Sequence, residues 1–495
     1  MKLKVRNFKW LAGRPVVIIN EATARKLNVR ADEKVLLNSK KIYAVVDTFQ
    51  NLVKNDEIGL SEELSVLINK KTGQEVEVSA APLSRAGAII SKKLAGQELN
   101  EEEIGELVLE IVENNLTESE IAYFISAEKL VGMSFNETIF LIKAMVKSGK
   151  KLDFGNRIVA DKHCIGGLAG NRTTPIVISI CASAGLLIPK TSSRAITSAS
   201  GTADVVETIS RVEFTSDEIK KLVDKVGACL VWGGSLGLAP SDDKIIHVER
   251  IINIDVRPQL LASIMAKKIS VGSNHILIDI PYGKEVKIKT LKQAKDLGES
   301  FKKIARYFKL NLRTVFTNGE EPIGRGIGPV LEMQDVISVL KNEEDCNRDL
   351  KEKALYLATQ LLDLCEIKDS RKRAEEILAS GKAYIKFKEI INAQNGESKD
   401  SNDFDNRVNN LKLGTIQRDV LAEKTGNIFN IENKEINLIA RILGCPETKS
   451  AGLYIHRPSG KVEKGERVLT LYSESKSKMQ EALETIKKNN PIQIK

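Results

Sequence analysis

Aromatic side chains are scarce in this chain, at 5% of 495 residues with two tryptophans. Long apolar runs are missing too: no stretch approaches the roughly 18 consecutive apolar residues of a membrane-spanning helix, so none is expected. The first residues, MKLKVRNFKWLAG, lack the apolar core of a secretory signal, which makes the cytoplasm the expected location. The six cysteines are scattered without a C-x-x-C pair. That spacing fits reduced thiols in an intracellular protein and excludes a disulfide framework or a cysteine zinc site. Four histidines, none in an H-x-x-x-H spacing, make a histidine metal site unexpected, so no metal is assigned. A net charge of +9 invites a nucleic-acid reading. However, the lysines form scattered pairs alternating with glutamates and few aromatics lie among them, so no nucleic-acid partner and no membrane partner are expected. An anionic small substrate needs only a few local cations.

The length exceeds one ordinary core and predicts about three or four domains. Residues 1–84 read as short strands separated by turn residues (KVRNF, PVVIIN, KVLLN, KIYAVVDTF, EVEVSAAP), a mostly-β N-terminal module. From 85 to 157 the pattern is helical. Thr117 stands three before Glu120 and Ser134 three before Glu137, two capping-box spacings ahead of helix-period apolar runs. Next, strand-like RIVADKH, GACLVWGG and HILIDIP alternate with helical TTPIVISICASAG, which argues for an α/β domain with a parallel-rich sheet over 158–239 and 271–400. In such sheets ligands bind beyond the carboxyl ends of the strands. The polar stretch 392–410 reads as a linker or exposed loop. Residues 411–495 form a C-terminal α+β domain.

Chemistry gathers in the loops. DKHCIGGLAGN (Asp161–Asn171) follows a strand and precedes a helix, with glycines suited to bringing backbone N–H groups close to a phosphate. It matches neither nucleotide fingerprint. KTSSRAITSASGTAD (Lys190–Asp204) supplies hydroxyls, backbone donors around Gly201, and Arg194, whose planar fork suits a phosphate. Alternatively its hydroxyls only cap turns and a helix. Two anion cradles in one domain suggest a phosphorylated substrate met by a second phosphate. EEPIGRGIGPVLE (320–332) reads as a loop-to-helix junction. In NIDVRPQLLASIMAKK (253–268), Asp255 precedes a helix on which Ser263 and Lys267 lie four apart and share a face. Lys284 and Lys287 follow the HILIDIP strand and could add charge to the same mouth.

Taken in order, KHCIGG, KTSSRAITSASGTAD, WGG…LAPSDDKII and DVRPQLLASIMAKK resemble the thymidine phosphorylase family over about 85–410. The serine-rich loop and the extra N-terminal module resemble its AMP phosphorylase branch. The resemblance implies a helical domain, completed by about 240–270, that closes with the α/β domain over substrate, and a homodimer or larger homo-oligomer. It implies reversible phosphorolysis of nucleoside 5′-monophosphates (AMP, with CMP and UMP) to free base and ribose 1,5-bisphosphate. Inorganic phosphate is the co-substrate and no cofactor is needed. Asp255 would donate a proton to the departing base, and a carboxyl that starts protonated calls for burial. Gly167, Ser193, Arg194, Ala195, Ile196, Thr197, Ser198, Thr202, Ser263 and Lys287 would bind the nucleotide. Lys162, His163 and Lys267 are further phosphate or base contacts. Cys164 replaces a serine that donates to phosphate in the pyrimidine branch, and a thiol is the poorer donor. Val248 stands where that branch carries a base-gripping arginine, with Arg250 displaced by two, so thymidine-like specificity is not expected. Asp242-Asp243 is given a structural or closure role. A pyrimidine nucleoside phosphorylase is the alternative.

Overall fold

A computed structural model of the chain describes residues 1–37, 42–82, 84–195, 198–397 and 402–495. They divide into two compact units: 1–149 with 239–266, and 150–238 with 267–495.

The first unit begins with six strands closed into a barrel, in the order Lys2–Asn7, Glu57–Leu60, Val16–Asn20, Ile42–Phe49, Lys34–Leu37, Glu75–Ala80. Side chains two apart share a face, so Leu3, Val5, Val76 and Val78 fill the barrel while Lys2, Lys4, Glu75 and Glu77 face water. Two seven-residue helices accompany the strands, Glu21–Leu27 capped by Asn20 and Glu62–Ile68 capped by Ser61. Helices this short give too few turns for a legible period. Beyond the barrel come Ala86–Leu94, Glu101–Val112, Glu118–Val131, Phe135–Ser148 and Pro240–Ile252. The capping boxes at Thr117/Glu120 and Ser134/Glu137 are both formed, and Asn100/Glu103 adds a third.

The second unit carries the α/β sheet. Strands Asn311–Asn318, His275–Tyr282 and Ala160–Cys164 pair in parallel. Ile188–Ser192 and Ala228–Trp232 pair in parallel beside them, joined to the first three by the Val159–Leu187 bridge. The helix Thr173–Ser183 is buried nearly all round against Arg348–Leu364 and Lys382–Gln394, in the core formed by Ile176, Ile180, Leu357, Leu361 and Phe387, with its hydroxyls at Thr173 and Thr174 in the first turn also buried. The start of the expected linker departs from the reading. Asn392 and Gln394 end the Lys382–Gln394 helix and are buried. The Gln394 amide accepts from Leu230 N at 2.7 Å and donates to Leu230 O at 3.2 Å, so polarity here serves a strand edge instead of solvent. A short helix, Asp403–Asn409, follows, and 398–401 lie outside the described residues. The C-terminal part is α+β. One antiparallel sheet orders Gly326–Ile327, Gly452–Ile455, Arg467–Ser473, Ile416–Leu421, and another orders Gly460–Val462, Gly426–Ile431, Ile492–Ile494. Helices Asn433–Leu443 and Lys476–Lys488 pack with them.

All five parallel strands point the same way, so the loops that follow them leave one edge of the sheet. Among these are 165–172, 193–201, 283–290 and 319–325.

Candidate active site

The first loop leaves the strand Ala160–Cys164 through Gly166, Gly167 and Gly170, all at positive φ. A Cβ on Gly167 would lie 3.3 Å from the backbone nitrogen of Lys287. Glycine therefore lets this loop touch the turn that carries Lys287, and two predicted site residues meet. A Cβ on Gly170 would fall 2.7 Å from Gly324 N. The third glycine-rich loop thus packs against the back of the first before entering the helix Pro329–Leu340, the junction expected of it.

Cations crowd below this loop. Lys162 is 1% exposed and donates to Thr173 and Thr174 at 3.0 and 3.3 Å. Burial lowers its pKa. Asp161, fully buried, pairs with Lys268 at 2.6 Å and Lys190 at 3.3 Å. Burial brings Lys268 down to about 7, against the opposing pull of Asp161. Burial, then Lys268, Lys190, Lys162 and Lys267, hold His163 well below its ordinary value, so it stays neutral at pH 7. The Cys164 thiol is pushed up by burial and by Asp279, and accepts from Asn171 Nδ2 at 3.4 Å. A protonated thiol beside the loop is a weak donor at best.

The second loop, 193–201, is held by Asp204 at its far end. Asp204 accepts from Ala195 N at 2.7 Å and Gly201 N at 2.8 Å. A Cβ on Gly201 would sit 2.4 Å from Ser193 O, so only glycine lets the chain cross itself here. Ser198 Oγ donates to Ser200 O at 2.7 Å, and Thr202 opens the helix Thr202–Val206. The candidates Ile196 and Thr197 lie outside the described residues.

Arg194 differs from the expectation of a phosphate fork. Its guanidinium makes two 2.8 Å bonds to Glu207, reaches Asp204 and Glu213 at 3.4 and 3.3 Å, and lies 4.7 Å over the Trp232 ring. A bidentate carboxylate uses the donors a phosphate would use, so in this state Arg194 fastens the loop to the following helix. Hydrogen bonding to Arg194 lowers Glu207 from an ordinary 4.5 to about 2. A depressed carboxylate contributes stability that is fully present above pH 4.5 and lost as pH falls through about 2. In a Trp10→Phe background, Trp232 emission should therefore stay flat from pH 8 to about 4.5 and change only below it. A transition above pH 5 would mean the fork is open in solution.

Sequence reasoning missed the residue that joins the two loops. Arg172, 6% exposed at the end of the first loop, bonds Glu332 through Nε at 2.6 Å. Its Nη1 donates to Thr202 Oγ1 at 3.0 Å and its Nη2 to Ser200 O at 2.9 Å. The visible signal was an arginine inside AGNRTTP, ahead of a buried, largely apolar helix.

In the first unit Asp255 lies between the helices Pro240–Ile252 and Arg257–Ser270 and is exposed, so the expected burial is not seen. In this short interhelical loop Val256 takes the buried position at 2% exposure and the neighbouring Asp255 faces out, and the Asp255 carbonyl accepts from Lys129 Nζ at 3.2 Å. Ser263 donates to Asp242 Oδ2 at 2.8 Å, and Gln259 donates to Oδ1 at 3.2 Å. Asp242 is fully buried and orients Ser263, the structural role given to it. Lys267 follows Ser263 by one turn of the same helix and is partly buried. Lys284 offers its backbone N–H to Glu320 at 3.3 Å. Val248 is core at 2% exposure and Arg250 is exposed. Among the described residues no group of three or more His, Cys, Asp or Glu could hold a metal ion, and no helix is long and apolar enough to cross a membrane.

Family models match three segments. A glycosyl transferase family helical bundle domain matches 88–149, the a/b domain of that family 156–384, and a pyrimidine nucleoside phosphorylase C-terminal domain 428–493. An AMP phosphorylase of Methanococcoides burtonii is 39% identical over 99% of this chain and 97% of its own length. That of Thermococcus kodakarensis is 39% identical over 100% and 98%, and AMP phosphorylase 1 of Archaeoglobus fulgidus 37% over 100% and 97%. The solved anthranilate phosphoribosyltransferase of Thermus thermophilus aligns with a TM-score of 0.51 at 17% identity, covering 62% of this chain and 99% of that one. At that identity the likeness is one of fold.

Proposed function

This chain belongs to the AMP phosphorylase family, and from that premise we propose that it catalyses the reversible phosphorolysis of AMP, giving adenine and ribose 1,5-bisphosphate. CMP and UMP are proposed as further substrates. The observation that carries the reading is the meeting of two donor-rich loops at the carboxyl edge of a parallel sheet, tied together by Arg172 through Thr202 and Ser200.

Cleavage of the N-glycosidic bond develops positive charge on the ribose and negative charge on the base. An anionic phosphate beside C1′ stabilises the first as it forms the new C–O bond, and a proton on the base relieves the second. In the α/β unit, Gly167, Ser193, Ala195, Ser198, Thr202 and Lys287 are assigned to the phosphorylated sugar, with Lys162, His163 and Lys267 as further contacts. The buried cluster sets Lys190 and Lys268 against the single carboxylate of Asp161, and an anion bound nearby would hold Lys268, brought down to about 7 by burial, in its charged form. Ser263 is assigned to the nucleotide, its hydroxyl proton already directed to Asp242. Asp255 is assigned as the proton donor to the base, and its exposure means that bound substrate must supply the missing cover. Arg194 is assigned to loop anchoring while Glu207 holds it. No metal or organic cofactor enters this scheme. A cytoplasmic homo-oligomer is proposed.

The alternative, a pyrimidine nucleoside phosphorylase, is not favoured: the full-length relatives are AMP phosphorylases, and Val248 cannot grip a pyrimidine. Phosphate-dependent base release from AMP, CMP and UMP, set against adenosine, thymidine and uridine, tests the assignment. Turnover confined to the monophosphates, with a bisphosphate product, is the expected result, and turnover of bare nucleosides at comparable kcat/KM would overturn it.

A further inference from the structure

The substrate loops are not held by the α/β sheet alone. Asn433, the first residue of the helix Asn433–Leu443, is 1% exposed. It donates from Nδ2 to Gly167 O at 2.6 Å and accepts at Oδ1 from Ala169 N at 2.7 Å. These two bonds bracket Leu168 as a neighbouring strand would. Carbonyl and N–H point oppositely across a trans peptide. The Gly167 carbonyl turned toward the helix therefore sends the Leu168 N–H away from it.

One turn later, Asn437 shares the same helix face. It accepts from Ala199 N at 2.8 Å, in the second loop, and donates to Asn433 O at 3.0 Å. The amide orientations are fixed by these partners: an N–H must face each Oδ1 and a carbonyl each Nδ2. The backbone N–H of Lys434 donates to Glu285 at 3.0 Å, two residues before Lys287. One helix start thus grips the loops that carry Gly167, Ser198 and Lys287, and every group it grips is backbone or an acid side chain outside the assigned site.

We propose that this helix is the positioning element of the substrate site, with Asn433 and Asn437 as positioning residues that set the spacing of the two phosphate-directed loops. The proposal rests on the assignment of those loops to substrate. It gives the C-terminal domain a part in binding although none of its side chains is assigned to substrate. Loops released from the helix would sample the competent geometry only part of the time, and apparent affinity falls by that fraction. Release of either loop would affect AMP, because residues of both are assigned to the phosphorylated sugar.

Asn433→Ala and Asn437→Ala should each raise KM for AMP about tenfold, with kcat reduced less than about threefold, the size of effect expected for a lost buried hydrogen bond. The thermal transition should move by no more than a few degrees. Hydrogen exchange in the loop amides should quicken about tenfold, over 165–172 in N433A and over 198–201 in N437A. If N433A does not fold, N437A, which removes one loop bond, carries the test. Unchanged KM values with unchanged exchange would overturn the proposal. A wild-type protein that fails to turn over AMP would instead overturn the functional assignment, and the exchange measurement would still report on the clamp.

Discussion

Asp255→Asn should lower kcat for AMP phosphorolysis by about 10²–10⁴-fold, the range typical of a removed general acid. Asparagine keeps the size and can still form a hydrogen bond to a base nitrogen, but it has no proton to give. The interaction lost is made as negative charge develops on the departing base, so KM for AMP and for phosphate should stay within about threefold of wild type. Stability should hardly change, because Asp255 is exposed and its carbonyl bond to Lys129 is a backbone contact that the substitution leaves in place. Steady-state kinetics with a thermal melt on the same sample makes the comparison. A fall in kcat/KM coming wholly from KM would reassign Asp255 to binding, and retained turnover would remove it from the chemistry.

The elements that sequence patterns showed best are those whose pattern is local. The capping boxes of Thr117/Glu120 and Ser134/Glu137 need only residues three apart. The strands Ala228–Trp232 and His275–Tyr282 are short, mostly apolar runs ending in turn residues, and Ala160–Cys164 runs straight into a glycine loop. Closure of the N-terminal strands into a barrel was not legible. It depends on parallel pairing of Lys2–Asn7 with Glu57–Leu60, about fifty residues apart, and of Val16–Asn20 with Ile42–Phe49. Polarity misled at Gln394, where an amide that resembles a linker residue in composition is spent on both edges of Leu230.

The site followed the same rule. The glycine positions were legible because they answer to local backbone conformation and close approach, as Gly167 and Gly201 do. The partners of charged groups were not. Arg194 has the composition of a phosphate ligand, yet Glu207, thirteen residues on, takes its fork. Asn433 and Asn437 lie more than two hundred residues from the loops they hold, on an amphipathic helix with no motif of its own. Long-range polar pairing leaves no periodicity, and neither residue spacing nor the resemblance pointed to these partners.

The second large effect concerns Arg172 and Glu332. The pair is nearly sealed from water, with side chains 7% and 1% exposed and a 2.5 Å contact. Removing one partner strands a buried charge, so Arg172→Met should destabilise the protein by about 3–5 kcal/mol, read as a lower urea midpoint. Burial already raises the Glu332 pKa with arginine present. Without it, the carboxyl should take up a proton on folding. The double change Arg172→Met, Glu332→Leu removes both desolvation costs and should recover much of the lost stability. It should not recover activity. Arg172 also donates to Thr202 Oγ1 and Ser200 O, and no apolar residue can replace those bonds between the loops. With the second loop free to drift by an ångström or so, kcat/KM for AMP should stay depressed about 10²-fold in the double variant. Stability and catalysis would then separate within one pair of residues. A double variant as unstable as the single would mean charge burial does not govern the loss, and one with full activity would mean Arg172 does not position the loops.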